Sequence, residues 1–434
     1  PNQLNIAGRY GYTPLHLAIK GDKTDIALKL IECLNASPDQ LNVADQHGDT
    51  PLHLGIRGGK TDITWKLIEC LKTSPGQLNV ADQHGDTPLH LASYHNQAQV
   101  ALELIKYLKE LPEQFNKKNQ IGFTPLHLAI HEGHTQVTFA LIEYFKKTSP
   151  DQLNVQDEDG NILLQSAIRN RQTDVAIELI KHLKESDPEQ LSVQHASGNM
   201  SLRLAIRYRQ TDVALELIKH LIESDPEQLN VANEKGNTPL HLAIHKGVTQ
   251  VALALIEHFK KTSPDQLNVQ DANGNILLQL AIERIRSRAT LKKEWCVALE
   301  LIKYLKEISP GQLSVANEKG NTSLHYAIAS RASDIALELI GCLKESAPDQ
   351  LNVVNKSGNT PLYIAIKRGL PDVAIALINI LPEDQIDHTL LELVMEEEIN
   401  AALHEKLSQQ GRSSLFTGGS NSANEKTSSN KRNP

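Results

Sequence analysis

Apolar residues recur along this chain in pairs of short stretches, and the second stretch of each pair has the spacing of an α-helix. In the pair that begins at Thr50, the apolar positions are Leu52, Leu54 and Ile56 in the first stretch and Ile63, Leu67, Ile68 and Leu71 in the second. Positions three and four residues apart share one face of a helix. The second stretch therefore predicts a longer helix with one buried face, and the first stretch begins a short helix that precedes it.

The same pair returns along the chain at a nearly fixed period. The six-residue block Thr-Pro-Leu-His-Leu-Ala or a variant of it starts at Thr13, Thr50, Thr87, Thr124, Ile162, Met200, Thr238, Ile276, Thr322 and Thr360. The starts are 37 or 38 residues apart, with one spacing of 46. Self-similarity at this period indicates a solenoid, in which each repeat buries its apolar face against its neighbours.

Residues with special backbone preferences mark the ends of the predicted helices. Gly48 stands where a turn needs a positive φ, Thr50 can cap a helix, and Pro51 fits the first helical turn. A Pro-x-Gln-Leu segment led by Ser or Asp follows most second helices, and it begins at Ser37, Ser74, Ser149, Asp187, Asp225, Ser263 and Ser309. Ser or Asp before Pro is typical of a helix start, so we expect a third, one-turn helix in most repeats.

The repeat resembles the ankyrin repeat. The segment from Asn119 to His134 reads Asn-Gln-Ile-Gly-Phe-Thr-Pro-Leu-His-Leu-Ala-Ile-His-Glu-Gly-His, which is close to the family pattern. The resemblance implies an all-α solenoid of stacked helix-turn-helix units with short hairpin tips. It also implies a structural role for the histidine of the block, which bonds to backbone between units, at His16, His53, His90, His127, His241 and His325. Ankyrin units typically have about 33 residues, so these are longer.

The period divides the chain into three predicted parts. Residues 1–381 form the ankyrin-repeat solenoid of about ten units, with an eight-residue insertion near 284–296. Residues 382–410 form a C-terminal capping helix, and residues 411–434 form a disordered polar tail. The chain begins inside a unit and has no initiator Met. We therefore expect a fragment, with a further unit or another domain upstream.

Composition argues against several functional classes. The sequence contains no apolar run of the ~20 residues that cross a bilayer, no signal peptide, and no pattern of a catalytic, phosphate-binding or zinc site. We expect no enzyme, no cofactor, no metal and no small-molecule substrate. The net charge of −8 and the scarcity of aromatic residues argue against a nucleic-acid ligand. The four cysteines predict buried, reduced thiols and a cytoplasmic location.

The positions that differ between repeats predict where a partner binds. In ankyrin proteins the partner usually meets the hairpin tips and the inner, concave side of the first helix. The slot two residues beyond the alanine of the block holds Lys20, Arg57, Tyr94, His131, Arg169, Arg207, His245, Glu283, Ala329 and Lys367, most of them basic. Together with nearby residues it gives the candidate site: Arg57, Tyr94, His131, Arg169, Arg171, Arg203, Arg207, Tyr208, Arg209, His245, Lys246, Arg284, Arg286, Arg288 and Trp295.

Each of these assignments has a structural alternative. Surface arginines keep a face hydrated, form ion pairs between repeats, or cover apolar surface with their stems. Trp295 lies in the insertion, where it either anchors a partner or packs against a lengthened second helix. The sequence leaves both interpretations open.

The predicted function is a protein-interaction scaffold. We expect a monomer that binds another protein with an acidic patch on its concave face, because basic residues steer an acidic partner. Long ankyrin arrays with a Glu-rich segment and a polar tail also look like effectors that intracellular bacteria secrete into the host cytosol. The alternative is a substrate-recruiting module of a larger enzyme or ubiquitin-ligase adaptor whose other domain lies upstream.

Overall fold

The computed structural model describes residues 5–35, 37–108, 117–191, 201–286, 292–387, 390 and 397–417. Its helices are, in chain order, α1 (Pro14–Lys20), α2 (Thr24–Leu34), α3 (Pro38–Leu41), α4 (Pro51–Arg57), α5 (Thr61–Leu71), α6 (Pro88–Tyr94), α7 (Ala98–Leu108), α8 (Pro125–His131), α9 (Thr135–Thr148), α10 (Leu163–Arg169), α11 (Thr173–Ser186), α12 (Ser201–Arg207), α13 (Thr211–Ser224), α14 (Pro239–Lys246), α15 (Thr249–Thr262), α16 (Leu277–Arg286), α17 (Lys292–Ile308), α18 (Ser323–Ala329), α19 (Ser333–Ser346), α20 (Pro361–Arg368), α21 (Pro371–Ile380) and α22 (Glu397–Thr417). The predicted all-α fold of helix-turn-helix units is confirmed for the described residues.

Each repeat consists of a first helix, a second helix and, in most cases, a third turn. The first helices are the short ones that follow the hairpin tips, from α1 and α4 to α18 and α20. The third element is an α-helical turn in α3. In later repeats it is a 3-10 turn, at Pro75–Asn79, Pro150–Leu153, Pro188–Leu191, Pro226–Leu229, Pro264–Asn268, Pro310–Ser314 and Pro348–Asn352. Pro at the first position of these turns confirms the sequence prediction.

Threonine caps the first helix in most repeats, as the sequence predicts. In the second repeat the Thr50 hydroxyl accepts a hydrogen bond from the His53 backbone N–H, and the Thr50 backbone N–H donates to His53 Nδ1 at 3.1 Å. This reciprocal pair satisfies two backbone groups that a helix start leaves without partners. The histidine thus takes the place that Glu or Gln has in the usual capping box.

The hairpin tips are held by aspartate and glycine and are joined from one repeat to the next. Asp45 accepts backbone hydrogen bonds from His47 and Asp49, and Gly48 has a φ of +78°. A Cβ on Gly48 would lie 2.8 Å from the Gln83 nitrogen of the next tip, so close approach also requires glycine there. Among the described residues, β-pairing is limited to two isolated bridges at tips, Gln156–Ile162 and Gln270–Ile276.

Contacts divide the chain into an N-terminal block, Pro1–Gln228, and a C-terminal block, Leu229–Pro434. Within the N-terminal block α4 packs between α1 and α6, and α5 packs between α2 and α7. The apolar residues named for this repeat, including Leu52, Ile63 and Leu67, are buried in these layers. Stacking of neighbouring repeats therefore supplies the core, as in other solenoids.

On their outer side, the second helices are joined by ion pairs between neighbouring repeats. In the N-terminal block Lys184 pairs with Glu216 at 2.6 Å, and Lys146 pairs with Glu178. In the C-terminal block Lys260 pairs with Glu300. Lys146, Lys184 and Lys260 therefore connect neighbouring repeats on this side.

Two expectations for the C-terminal region and the cysteines change in the structure. Helix α22 packs against α21 and continues to Thr417, past the predicted end of the capping helix at residue 410. Residues 418–434 of the predicted tail lie outside the described residues.

The prediction of buried thiols is wrong for Cys33 and Cys296, which are exposed, because their positions on the second helices face outward.

Candidate partner-binding face

First helices and hairpin tips line common grooves within each block, and we call this surface the tip face. In several repeats the slot residue at the end of the first helix reaches back to the tip residue eight positions earlier. Lys20 donates to the Tyr12 hydroxyl at 2.8 Å, and Arg169 donates to the Asn161 side chain at 2.7 Å. Side chains on a helix lean toward its N-terminus, which explains the direction of this reach. Sequence reasoning missed this pairing, although its signal is a polar residue at the tip position before the threonine.

Arg57 connects two repeats rather than presenting an unpaired charge. Its guanidinium lies 2.5 Å from the Asp49 carboxylate and 3.2 Å from that of Asp82 in the next repeat. Burial lowers the pKa of Arg57, but the two carboxylates outweigh that effect and raise it above its usual value. Arg57 therefore forms an ion pair between repeats, which is the structural alternative to a partner contact.

At other repeat boundaries, asparagine side chains join the neighbouring hairpin tips. The Asn119 amide donates to the Asp86 carboxylate at 2.8 Å, across the boundary between the third and fourth repeats. In the C-terminal block the Asn317 amide donates to Asn275 at 2.7 Å, and the Asn355 amide donates to Asn321 at 2.8 Å. The exchange of Asp and Asn at this tip position thus reflects how each pair of repeats is joined.

The histidines of the block form a buried column between repeats. His53 Nδ1 accepts from Thr50, so its Nε2 carries the proton, and this N–H donates to the Asp86 carbonyl oxygen at 3.1 Å. Matching bonds run from His16, His90 and His325 to the carbonyls of Asp49, Phe123 and Asn359. Gln279 replaces the histidine in the eighth repeat, where its amide donates to the Val315 and Asn321 carbonyls. The role that the family resemblance implies is therefore visible in these repeats.

Arg203 requires a correction. It occupies the histidine position of the sixth repeat and is only 3% exposed, so it lies in the layer between repeats. Burial lowers the pKa of Arg203 below its usual value. Its predicted role as a surface contact for a partner is wrong because the position it occupies faces the core.

A second set of bonds joins the turns between first and second helices in the N-terminal block. The Gln97 amide donates to the Ile56 carbonyl at 2.7 Å, and His134 Nε2 donates to the Tyr94 carbonyl at 2.8 Å. The Gln172 and Gln210 amides donate in the same way to the carbonyls of Ile130 and Ile168. These bonds satisfy carbonyls at the ends of first helices and align successive turns.

Arg171 and Arg209 lie at these turns, directly after the first helices of the fifth and sixth repeats. Both are exposed and both have a positive φ, 57° and 60°. They line one groove of ≈ 390 Å³ together with Thr173, Tyr208, Gln210, Thr211 and Asp212, which belong to the turns and to the starts of second helices. Arg169 instead bonds to the tip residue Asn161. The structure thus separates residues that the sequence placed in one stripe.

The third and fourth repeats form a groove on the tip face with an apolar floor. Leu91 and Leu128 form its floor, and Tyr94 and Ile121, which are 46% and 59% exposed, stand beside them. The groove encloses ≈ 310 Å³. The nearby ring of His131 is tilted against that of Phe123, with 5.7 Å between the ring centres. Its Nδ1 atom lies 2.9 Å from the Glu132 carboxylate. Of the residues that line this groove, the predicted site contains Tyr94 and Arg57.

The C-terminal block has a more polar groove on its own tip face. It encloses ≈ 550 Å³ over α18 and α20, and its lining includes Tyr326, Tyr363, Asn321, Asn355, Asn359, Lys319, Lys367, Arg368 and Glu283. The lysine Lys367 lies 5.5 Å from the centre of the Tyr363 ring. Three members of the slot named from the sequence line this groove: Glu283, Ala329 and Lys367.

The remaining predicted residues have different surroundings. His245 is exposed at the end of α14, and the half-buried Arg284 donates to the Lys246 carbonyl at 3.4 Å while packing over Gly247. Arg284 therefore joins two repeats. Arg286 ends α16, and Trp295 is half-buried in the first turn of α17. Arg288 lies outside the described residues.

In the part of the chain that the structure describes, no three His, Cys, Asp or Glu side chains are grouped closely enough to hold a metal ion. No helix within the same residues combines the length and apolar character that crossing a bilayer requires.

A comparison with protein families agrees with this architecture. A family model of ankyrin repeats, in three copies, matches residues 1–79, 30–111, 66–151, 101–191, 202–293 and 294–389. No curated protein matches the chain. Among the solved structures that match is one titled as the crystal structure of the ankyrin repeat domain of Bcl-3, a unique member of the IkappaB protein family. It is 22% identical, covers 56% of this chain and 98% of that chain, and has a TM-score of 0.40.

Proposed function

Because the chain belongs to the ankyrin-repeat family, we propose that it is a scaffold that binds a partner protein through the tip face of its N-terminal block. Ankyrin repeats are generally protein-protein interaction modules, and their fold is typically a non-catalytic scaffold. The specific face and the chemistry of the partner are our own proposal. They are supported by the groove residues and charges described above.

The groove beside Tyr94 and Ile121 carries this proposal. Large apolar side chains that are exposed next to each other mark interaction surfaces more often than isolated ones do. Aromatic residues beside an apolar pocket are also typical of the residues that contribute most to binding. Leu91 and Leu128 supply such a floor, so an apolar side chain of the partner fits here.

Charge along the same block favours an acidic partner. Arg171 and Arg207 are exposed and form no ion pair with any described residue, and Arg169 bonds to the neutral Asn161. The other slot arginine, Arg57, is already neutralised by two carboxylates. The basic surface therefore lies at the fifth and sixth repeats, where it attracts an acidic segment in a salt-dependent manner.

The finer functional predictions rest on the sequence alone. The proposal of a secreted effector in a host cell depends on the Glu396–Glu398 cluster and on the tail. Most of these residues lie outside the described part of the chain. The alternative, a recruiting module for an upstream enzyme or ubiquitin-ligase adaptor, uses the same tip face to hold its substrate. Both remain predictions, as do the monomeric state and the cytoplasmic location.

The test compares the proteins that the wild-type chain and two double variants capture from a native or host lysate. Y94S/I121S removes both exposed apolar groups of the groove and is expected to lose a captured protein at least tenfold. The matched control is I26S/L102S, which replaces two exposed apolar residues on the second helices α2 and α7 of the same block. Equal capture by both variants, or equal loss, would overturn the assignment of this groove.

A further inference from the structure

We propose that the polar groove of the C-terminal block, over α18 and α20, binds a doubly charged phosphate group on a Ser or Thr side chain of a partner protein. This inference goes beyond the apolar docking groove of the N-terminal block, because it concerns a surface lined by different residues. It rests on the proposed scaffold function only in taking the phosphate to belong to a protein. The groove encloses ≈ 550 Å³, which leaves room for a phosphorylated side chain.

An alanine at the slot of the ninth repeat opens this groove. The slot residues on either side are Glu283 in the eighth repeat and Lys367 in the tenth, and all three line the groove. Ala329 has only a methyl group, so no long side chain covers the surface between its two neighbours. The next residue of the lining, Ser330, is also small. The tips and first helices are therefore left open to a ligand here.

The cation at the slot of the tenth repeat is not held by its own hairpin tip. Slot residues of other repeats bond to the tip residue eight positions earlier, as at Lys20, Arg57 and Arg169. The residue eight positions before Lys367 is Asn359, whose side chain forms no hydrogen bond with any described residue. The Lys367 ammonium group instead lies 5.5 Å from the centre of the Tyr363 ring. A contact with a ring face leaves N–H donors of the ammonium group available to an anion.

The charges of the groove match a phosphate dianion. Lys319 belongs to the ninth hairpin tip and Arg368 ends α20; both are exposed, and neither forms an ion pair with any described residue. With Lys367 they give three cations, so the single carboxylate of the lining, from Glu283, leaves two positive charges. His325 adds none at neutral pH, because burial lowers its pKa. A phosphate dianion balances two charges, whereas a carboxylate would leave one of them unbalanced.

Asparagine side chains add neutral donors to these cations. The Asn321 side-chain oxygen accepts from the Asn355 amide at 2.8 Å. This bond orients the Asn321 amide, whose own N–H groups bond to no described residue. The half-buried Asn359 amide lines the same groove. A phosphate group has three oxygens that accept hydrogen bonds, so ammonium, guanidinium and amide donors together suit it.

Glutamine substitutions separate binding from folding. K367Q/R368Q removes both cations of α20 and leaves the core intact, because both side chains are exposed. The matched control is R331Q/K344Q, which removes an exposed arginine and an exposed lysine of the same block outside the groove. The two variants have the same net charge, and both should melt within about 2 °C of wild type. K367R/R368K keeps both charges and should retain binding within about threefold.

Binding is measured by fluorescence anisotropy with the full chain and fluorescein-labelled Gly-Gly-phosphoserine-Gly-Gly at about 50 mM salt. The same labelled peptide with Ser or Glu at its centre is measured beside it. We expect the phosphoserine peptide to bind about fivefold tighter than the Glu peptide, and the Ser peptide to bind most weakly. K367Q/R368Q should weaken binding of the phosphoserine peptide about tenfold or more, and R331Q/K344Q less than about twofold. Equal affinity for the phosphoserine and Glu peptides would overturn the phosphate site, as would an equal loss in both variants.

Competition identifies the source of the phosphate. Unlabelled phosphoserine peptide should displace the labelled peptide at a lower concentration than inorganic phosphate does, because the asparagine amides can also bond to a peptide backbone. Stronger displacement by inorganic phosphate would overturn the assignment to a partner protein. Stronger displacement by vesicles of phosphatidylcholine and phosphatidylinositol phosphate, at equal phosphomonoester concentration, would overturn it as well.

The two proposals can fail separately. If Y94S/I121S loses the captured partner while K367Q/R368Q keeps its affinity for the phosphoserine peptide, the scaffold proposal stands and the phosphate site is wrong. If K367Q/R368Q loses the phosphoserine peptide while Y94S/I121S captures the same proteins as wild type, the phosphate site stands and the proposed docking groove is wrong.

Discussion

The guanidinium of Arg57 lies 3.2 Å from the carboxylate of Asp82, which belongs to the hairpin tip of the next repeat. The same group binds Asp49 of its own repeat. Two acidic side chains, both nearly buried, thus face each other across a repeat boundary with one cation between them. A residue that looks like a ligand contact in the sequence is instead part of the stacking of repeats.

Removing this cation should destabilise the fold. In R57M the Asp49 and Asp82 carboxylates would repel each other and lose their charged hydrogen bonds. We expect a loss of about 1–3 kcal/mol in the free energy of unfolding, measured by urea denaturation. The control is K29M, which breaks the highly exposed Lys29–Glu32 pair within one helix. It should change stability by less than about 1 kcal/mol.

Asparagine at the tip should rescue the loss. In R57M/D82N the new amide can donate to Asp49, as the Asn119 amide donates to Asp86 one repeat later. The Asn119 side-chain oxygen also accepts the same two backbone bonds that Asp82 accepts. The double variant should therefore recover most of the lost stability. An additive loss in the double variant would show that Arg57 does not act through these carboxylates.

The buried histidine column predicts a fall in stability as the pH drops. Burial lowers the pKa of His127 to about 4, and it lowers the pKa values of His16, His53, His90, His241 and His325. In each case the unfolded chain binds a proton more readily than the folded chain. The contribution of each neutral histidine to the free energy of unfolding is fully present above pH 6.5. It is lost as the pH falls toward the pKa of that histidine in the folded chain. For His127 the loss between pH 7 and pH 5 is about 2 kcal/mol.

The variant His127→Gln tests whether His127 causes part of this loss of stability at low pH. Gln279 shows that glutamine fits the same position of the block, where its oxygen accepts from Ile276 N–H and its amide bonds the next repeat. Denaturation midpoints at pH 7 and pH 5 should lie closer together in H127Q than in wild type. Carboxylates whose pKa values are lowered, such as Asp271, lose their contribution only below about pH 4. An unchanged pH dependence in H127Q would assign the effect to other groups.

Much of the fold follows from residues with strong local preferences. The Thr50-Pro51 start, the positive φ of Gly48 and the Ser/Asp-Pro turns all appear where the sequence places them. These features act within a few residues, so a single repeat is enough to predict them. Ten linked copies then determine how the units stack.

The candidate site was harder to predict because it depends on side chains from different repeats. Arg203 occupies the histidine position of its repeat, and this position is buried. Its charge alone would have predicted an exposed side chain, so the position in the repeat is the better guide. Arg171 and Arg209 directly follow first helices in the sequence. Both have a positive φ, which turns the chain there, and they line a groove with residues at the starts of second helices. Ile121 was missed because it belongs to a tip, where the residues share no chemical class.

The C-terminal helix α22 should stabilise the C-terminal block. Its Ile399 and Leu403 side chains are buried, and the helix packs against α21. We expect L403A to lower the free energy of unfolding by about 2–5 kcal/mol, since a large apolar side chain is removed from a packed layer. H404A, which alters the neighbouring exposed position, should change it by less than about 0.5 kcal/mol. Truncation after Thr417 should leave the thermal midpoint unchanged, because the removed residues 418–434 are almost entirely polar. Equal midpoints for L403A and wild type would show that α22 does not cap the array.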